Sequence, residues 1–242
     1  MAERRIKMRL WSVSVMVVAL GTASMARAAE TTPNYTFDYT YPAAAGQIGP
    51  LRAWLEADKA RMRAKLAADA AAARADAKKE GFPFRGYDAS KTWKVVTSTP
   101  RFLSLSGELS SYSGGAHPNS GSLSLVWDKK AGRQMKATVM FVSPAAIQAV
   151  FGTAWCAALK VERTKRLGAD AGPDDIFKCP KVSDLTILLG SSNGRAINRI
   201  GLIADPYVAG SYAEGAYETT LPVTAAVLRA VKPAYRADFA LR

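Results

Sequence analysis

The stretch Tyr112-Ser113-Gly114-Gly115-Ala116-His117-Pro118-Asn119 separates two segments in which apolar residues alternate with serine, and it holds the only histidine of the chain. Its Gly-Gly pair and its proline disfavour regular helix and central strand. The segments on either side, residues 103–106 and 122–127, repeat with the period of two that is typical of strands. We therefore predict a hairpin, in which the Gly-Gly-Ala-His loop joins two strands of an antiparallel sheet.

Other strands of the same region follow from similar patterns. Residues 35–41 place an aromatic ring at every second position, which predicts a strand with one aromatic face. Residues 93–97 predict a further strand. Residues 128–132 read as a turn, after which residues 135–141 are expected to pair back.

An Ala-rich helix is predicted over residues 51–79. Its apolar stripe consists of Leu51, Trp54, Leu55, Met62 and Leu66. Beyond residue 66 the stripe thins to alanines, so this half is expected to lie on the surface or project into solvent. A basic partner-binding helix and a solvated helix face are both compatible with that composition. Gly81 and Pro83 provide the stop.

The second half of the sequence contains the best-defined core helix. Ser143 and Pro144 are typical of an N-cap and a first helical residue. Apolar residues then recur at helical spacing until near Gly168. Strands are predicted at residues 185–189, 197–204 and 217–221, and a short helix at 222–231 that Pro233 ends. The order of elements predicts an α+β fold: antiparallel sheets with packed helices, in two intimately associated subdomains.

Residues 1–28 are predicted to be a secretory signal peptide. Basic residues precede an apolar run over residues 10–23, and Ala26-Arg27-Ala28 is a small-residue cleavage site. The alternative is an uncleaved membrane anchor, although the run is shorter than the ~20 residues that span a bilayer. Cleavage near Ala28 predicts a periplasmic or secreted protein with no transmembrane segment left. In such an oxidising compartment, Cys156 and Cys179 are expected to form a disulfide.

The chain is strongly basic, with a formal charge of +13. Removing residues 1–28 takes away five basic residues and one acidic residue, which leaves +9. This charge favours anionic neighbours such as wall polymers, lipid head groups or acidic proteins. Nucleic acid is an unsuitable partner for an exported protein. Solubility alone also explains the charge.

The sequence contains one literal match to a catalytic motif. Residues 190–194 match G-x-S-x-G, but an Asn-Gly turn fits better and the only histidine precedes the serine. One histidine and two cysteines that are expected to pair cannot supply a tetrahedral zinc site, and a site made of His117 with distant carboxylates is the alternative. No nucleotide-binding motif is present. The sequence therefore indicates no catalytic residue, no metal and no cofactor.

Two motifs together resemble a known pair of extracytoplasmic domains. The first is residues 112–119, followed by Trp127-Asp128 and Ala131-Gly132; it is similar to the domain of PdaC-type deacetylases. The second is Pro206-Tyr207-Val208-Ala209-Gly210-Ser211-Tyr212-Ala213-Glu214-Gly215, followed by a strand to Leu221-Pro222; it is similar to the companion domain of unknown function. The resemblance implies a PdaC-like subdomain at residues 33–142, which includes the Ala-rich helix, and a companion domain at 143–239.

The same domain pair occurs in RsiV-type anti-sigma factors, where it binds lysozyme. The separate polysaccharide deacetylase domain and the sigma-binding segment of those families are not seen in this sequence. The resemblance then implies an exported, non-catalytic binding module of the cell envelope, which recognises peptidoglycan, another glycan or a wall-active protein. Alternatives are a wall-modifying hydrolase with an unrecognised site and a lysozyme-binding inhibitor. The net charge disfavours the inhibitor, because a basic lysozyme would be repelled.

Eight residues of the two motifs are candidates for the recognition surface. Aromatic rings stack on sugars or anchor protein contacts, and Asn or Glu can fix hydroxyl groups. The alternative is that these residues pack the two halves together, with the glutamate accepting hydrogen bonds from loop amides. The candidates are Tyr112, Gly114, Gly115, His117, Asn119, Tyr207, Tyr212 and Glu214.

Overall fold

In the computed structural model, which describes residues 29–168 and 178–242, the predicted hairpin lies inside a six-stranded sheet. Its strands are β4 (Phe102–Tyr112) and β5 (Asn119–Asp128), which pair antiparallel over their full length. The predicted signal peptide and residues 169–177 lie outside the described part of the chain. The other strands of the sheet, in the order β1-β2-β3-β4-β5-β6, are β1 (Glu30–Thr31), β2 (Tyr35–Thr40), β3 (Tyr87–Ser98) and β6 (Arg133–Met135).

One neighbouring pair departs from the antiparallel pattern. β2 pairs parallel to β3 in an unbroken register from Tyr35 opposite Tyr87 to Thr40 opposite Thr92. Two helices, α1 (Ala43–Gly46) and α2 (Gly49–Glu80), carry the chain back between these strands. A parallel pair requires such a crossover, and the long helix provides it.

The helix α2 covers one face of the sheet. Its buried residues are Leu51, Leu55, Leu66 and Ala70, and the left-handed Gly81 ends it as predicted. The expected surface position of the alanine half is wrong at Ala70, which is fully buried. Its small side chain lets the helix backbone lie close to the strands.

The prediction that residues 135–141 pair back is wrong beyond Met135. β6 ends there, and Ala137–Met140 is a 3-10 helix. Ala137 and Met140 are buried in a hydrophobic core with the helix at residues 144–167. Because of this packing, the segment leaves the edge of the sheet after Met135.

The second subdomain is an antiparallel three-stranded sheet with helices against it. Its strands are β7 (Thr186–Gly190), β8 (Arg199–Ala204) and β9 (Tyr217–Pro222), and its helices are α3 (Pro144–Leu167), α4 (Ala225–Ala230) and α5 (Pro233–Arg236). Ser143 caps α3 as predicted, since its Oγ accepts from the Ala146 amide at 3.0 Å. The helix predicted over 222–231 is the shorter α4, because the Thr224 side chain caps it and it begins only at Ala225. Pro233, which was expected only to end that helix, is the first residue of α5.

The hairpin contributes to two hydrophobic cores. Leu103, Leu105 and Trp127 face α2 and the aromatic residues of β2. Phe102 and Val126, one position away, face α3 and the second sheet. Among residues 29–168 and 178–242, the members of both cores lie between positions 35 and 239.

Arg101 joins the two subdomains at the base of the hairpin. Its guanidinium donates to Asp128 at 3.1 Å and to Asp238 at 2.8 Å, and it lies over the rings of Phe102 and Tyr235. Burial alone would raise the pKa of Asp128. Hydrogen bonds from the Ala131 amide and from Arg101 outweigh burial and hold that pKa below its usual value.

The predicted disulfide is present. Cys156 on α3 is bonded to Cys179, with 5.6 Å between their Cα atoms. Among the described residues α3 is also the one helix that is long and apolar enough to span a membrane. A core helix passes the same test, and one face of α3, with Phe151 and Trp155, is buried in the second core.

Replacing both cysteines by serine should destabilise the protein. A disulfide that closes a loop of this length restricts the unfolded chain and contributes about 3 kcal/mol. We expect a loss of that order in the free energy of unfolding, measured by urea denaturation. Reducing the unaltered protein should give the same loss, and identical denaturation curves before and after reduction would contradict the expectation.

Candidate functional site

A polar groove lies on the face of the first sheet that α2 does not cover. Near Phe102 and Val126 this face packs on the second subdomain, but toward the loop at residues 113–118 it is open. Two rows of polar side chains cross three strands there and line a groove of about 500 Å³. The rows are Ser90–Ser110–Ser120 and Thr92–Glu108–Ser122.

The opposite wall of the groove is the segment that follows β8. Asp205, Pro206 and Tyr212 line it. The Asp205 carboxylate accepts from the Ser122 amide at 3.0 Å, which ties this wall to the floor of the groove. Thr186 donates to the Ser122 carbonyl, also at 3.0 Å. The two subdomains are therefore held together directly at the groove.

Three candidate residues form an aromatic cluster on this side of the molecule. The His117 ring is stacked on Tyr212 with 3.8 Å between the centroids. Its Nε2 lies 3.1 Å from the Tyr207 hydroxyl, and its Nδ1 lies 2.9 Å from the Pro118 carbonyl. A carbonyl only accepts, so Nδ1 carries a proton. In the neutral ring Nε2 then accepts from Tyr207.

The backbone at Tyr207 has an unusual conformation. Its φ is +71°, and among the described residues no other non-glycine has a positive φ. Such conformations are unfavourable for a residue with a Cβ, and they are concentrated at functional sites. Hydrogen bonds from the Tyr207 amide to Gly210 and from the Val208 amide to Asp205, both 3.0 Å, hold the turn. The side chain that this turn presents is 58% exposed.

Glu214 supports the loop from inside. Its carboxylate accepts from the Ser211 amide at 2.7 Å and from the Tyr217 hydroxyl at 2.6 Å, and the Arg163 guanidinium lies 3.7 Å away. Burial would raise the pKa of Glu214. The hydrogen bonds from Tyr217 and Ser211 outweigh burial and keep that pKa below its ordinary value. One donor, the Ser211 amide, is a loop amide, as the alternative to ligand binding expects, but the partners all lie within the second subdomain and do not join the two halves.

The rest of the loop is built around this carboxylate. A Cβ on Gly210 would lie 2.7 Å from the Glu214 Cδ, so only glycine fits there without a shift. Arg166 donates to the carbonyls of Glu214 and Ala216 at 2.9 and 2.8 Å, which fastens the loop to the end of α3. Gly210 and Glu214 of the second motif therefore fix the backbone of the loop. The loop in turn positions the side chains of Tyr207 and Tyr212.

The other candidates lie around the hairpin tip and do not join the cluster. Tyr112 ends β4 opposite Asp88, on the same face as the groove. Gly114 has a φ of +87°, which the tight turn requires, while Gly115 is exposed with open space around it. Asn119 begins β5 and is exposed, but the alternation of the strand places it on the other face.

Sequence reasoning missed the floor of the groove and Asp205. A signal for the floor was present, because serine occupies positions 120, 122 and 124 of one strand and 104, 106 and 110 of the other. For Asp205 no local pattern distinguishes it from other loop acids.

No group of three or more His, Cys, Asp or Glu side chains suited to a metal is present in residues 29–168 and 178–242.

Glu214→Gln should loosen the loop and destabilise the protein by about 1–3 kcal/mol, as for a lost hydrogen bond to a charged group. The folded-state pKa of Glu214 is depressed, so its ionised form stabilises the fold above the ordinary pKa of 4.5. That contribution is lost as the pH falls through the folded value. Urea denaturation at neutral and acidic pH measures both effects.

The exposed Glu218, next to Tyr217 on β9, provides the matched control. Glu218→Gln should leave the free energy of unfolding unchanged at both pH values. Equal losses for the two variants would show that Glu214 has no special role in the loop.

Comparisons with known proteins agree with this architecture. Residues 28–120 match the family model described as deacetylase PdaC. No curated protein is significantly similar to the chain. A solved DUF3298 family protein from Bacteroides fragilis is 16% identical, with a TM-score of 0.51, over 78% of this chain and 81% of that one.

A DUF3298 family protein from Pseudomonas aeruginosa is 18% identical, with a TM-score of 0.44. The match covers 65% of this chain and 66% of that one, just under two thirds of its length. At such identities the likeness to the Bacteroides protein concerns the fold alone.

The PdaC match and the disulfide together indicate an extracytoplasmic protein. Residues 28–120 are therefore similar to the PdaC family, and the chain has the fold of the DUF3298 family protein from Bacteroides fragilis.

Proposed function

We propose that the chain is an exported, non-catalytic binding module of the cell envelope, and that its groove recognises a glycan, with peptidoglycan as the first ligand to test. The observation that carries the proposal is the aromatic cluster of His117, Tyr207 and Tyr212 beside a groove lined by hydroxyl groups. Export after cleavage near Ala28 is part of the same proposal.

The chemistry of the groove suits a sugar. Sugar rings present apolar faces that stack on aromatic side chains, and the exposed Tyr207 and the groove-lining Tyr212 offer such faces. Serine and threonine hydroxyls both donate and accept, as sugar hydroxyls do. Glu108, which pairs with Lys94, and Asp205 add carboxylate acceptors at the edges of the floor.

The groove is also built in advance. Asp205 fixes the wall to the floor, and Glu214 fixes the loop that carries the tyrosines. A ligand then does not have to order these groups, and preorganisation of this kind raises affinity.

The contacts of His117 support recognition rather than catalysis. Both ring nitrogens already have partners, a backbone carbonyl and a tyrosine hydroxyl, and no carboxylate is among its contacts in the described residues. In a triad of the Ser-His-Asp type a carboxylate orients the ring and stabilises the imidazolium that forms. A ring held in this way is better suited to stacking and to positioning Tyr207.

Tyr212→Ala should weaken binding to purified peptidoglycan sacculi about tenfold or more, as removal of a central aromatic anchor does. His117→Ala should weaken it as well, because the ring supports both tyrosines. Co-sedimentation of residues 29–242 with sacculi at low and moderate salt measures the affinity. Salt-resistant binding distinguishes a glycan site from non-specific attraction of the basic chain.

Phe82→Ala is the matched control, because Phe82 is an aromatic residue that is 66% exposed and does not line the groove. Circular dichroism should show that all variants are folded. If sacculi bind equally well to every variant, the groove is not the site. If nothing binds, a wall-active protein becomes the ligand to seek, and release of soluble fragments from the sacculi would point to a hydrolase.

A further inference from the structure

Two stretches of the sequence contain no acidic residue, and the fold places them side by side. They are residues 129–161 and 219–237. The Val142 amide donates to the Ala230 carbonyl at 2.9 Å, and the Lys232 amide donates to the Met140 carbonyl at 2.8 Å. Positive charge that is spread over the sequence is therefore concentrated at one place on the surface.

This place, which we call the basic end, is the surface formed by six cationic residues of the two stretches. Five are exposed and Lys232 is half-buried. Asp128 and Asp238 flank them, but Arg101 holds both carboxylates. Across residues 29–168 and 178–242, no ion pair involves any of the six. They are Lys130, Arg133, Lys136, Arg229, Lys232 and Arg236.

The basic end lies at the opposite end of the hairpin from the aromatic cluster. Asp128, opposite Phe102, ends the strand that begins at Asn119 beside the 113–118 loop. Ten residues of strand separate the two ends, which corresponds to about 30 Å. A partner at the basic end would therefore leave the groove uncovered.

Exposed aliphatic side chains accompany the cations. Val139 is 43% exposed and Val142 is 51% exposed. Both lie on the short segment that follows Lys136 and is hydrogen-bonded to Lys232 and Ala230. The surface thus combines cations that pair with no acid of the described residues with apolar groups that reach solvent.

We infer that the basic end binds the surface of a lipid bilayer that contains anionic head groups. Lys and Arg near such a surface are attracted by its negative potential. Aliphatic side chains among them can enter the boundary between head groups and acyl chains. A soluble anionic polymer would use the cations but would gain nothing from the valines. Docking in this way directs the groove away from the membrane.

The inference is tested with residues 29–242 and vesicles made of equal parts phosphatidylglycerol and phosphatidylcholine. The protein should sediment with these vesicles and not with vesicles of phosphatidylcholine alone. Neutralising four cations of the basic end should lower the partition coefficient at least about tenfold. The substitutions are Lys130→Gln, Arg133→Gln, Lys136→Gln and Arg229→Gln.

A control of equal charge removes four exposed cations elsewhere, none in an ion pair within the described residues, and should change the partition coefficient less than about twofold. Tyr212→Ala should also retain vesicle binding, so the result is independent of the groove. Equal losses for the control and for the basic-end variant would overturn the inference, as would equal binding to neutral vesicles. The control substitutions are Lys78→Gln, Lys79→Gln, Arg85→Gln and Lys181→Gln.

The valines separate a bilayer from a soluble polyanion. The double variant Val139→Ser and Val142→Ser should bind anionic vesicles severalfold more weakly and poly-L-glutamate as well as the unaltered protein does. If the double variant binds vesicles unchanged while poly-L-glutamate competes fully, the basic end is a site for anionic polymers and not for a membrane.

Discussion

The two-sided packing of one hairpin is the constraint on which the structure depends. In β4 and β5 successive side chains point to opposite faces, so Leu103 enters one core while Phe102 enters the other. A slip of one residue in the pairing would exchange these faces and remove both cores at once. The register is therefore specified from two sides.

The groove follows from the same constraint. The second core takes up Phe102 and Val126 at the base of the hairpin, and further along the same face a groove separates the strands from the loop of the second subdomain. Apolar residues on the uncovered part would be exposed, and the strands instead carry hydroxyl groups at positions such as Ser110 and Ser122. The loop fastened by Glu214 then forms a wall beside this polar strip. The groove and the contact with the second core thus lie at opposite ends of the same face of β4 and β5.

The sequence was sufficient where local chemistry decides the structure. The turn at Gly114, the cap at Ser143, the stop at Gly81 and the disulfide at Cys156 were all predicted correctly. It was insufficient where distant packing decides. The parallel pairing of β2, the burial of Ala70 and the 3-10 helix after Lys136 depend on which surfaces meet. The contact of His117 with Tyr207 joins residues ninety positions apart, and no local pattern contains it.

The shape of the aromatic loop is determined by residues that a ligand would not meet. Gly210, Ser211 and Glu214 hold the backbone, whereas the rings of Tyr207 and Tyr212 lie on the outer side. Replacing the ring of Tyr207 or Tyr212 need not change the backbone of the loop. Replacing Gly210, Ser211 or Glu214 would change it. Selection can therefore change the exposed rings through single substitutions while the scaffold beneath them remains the same.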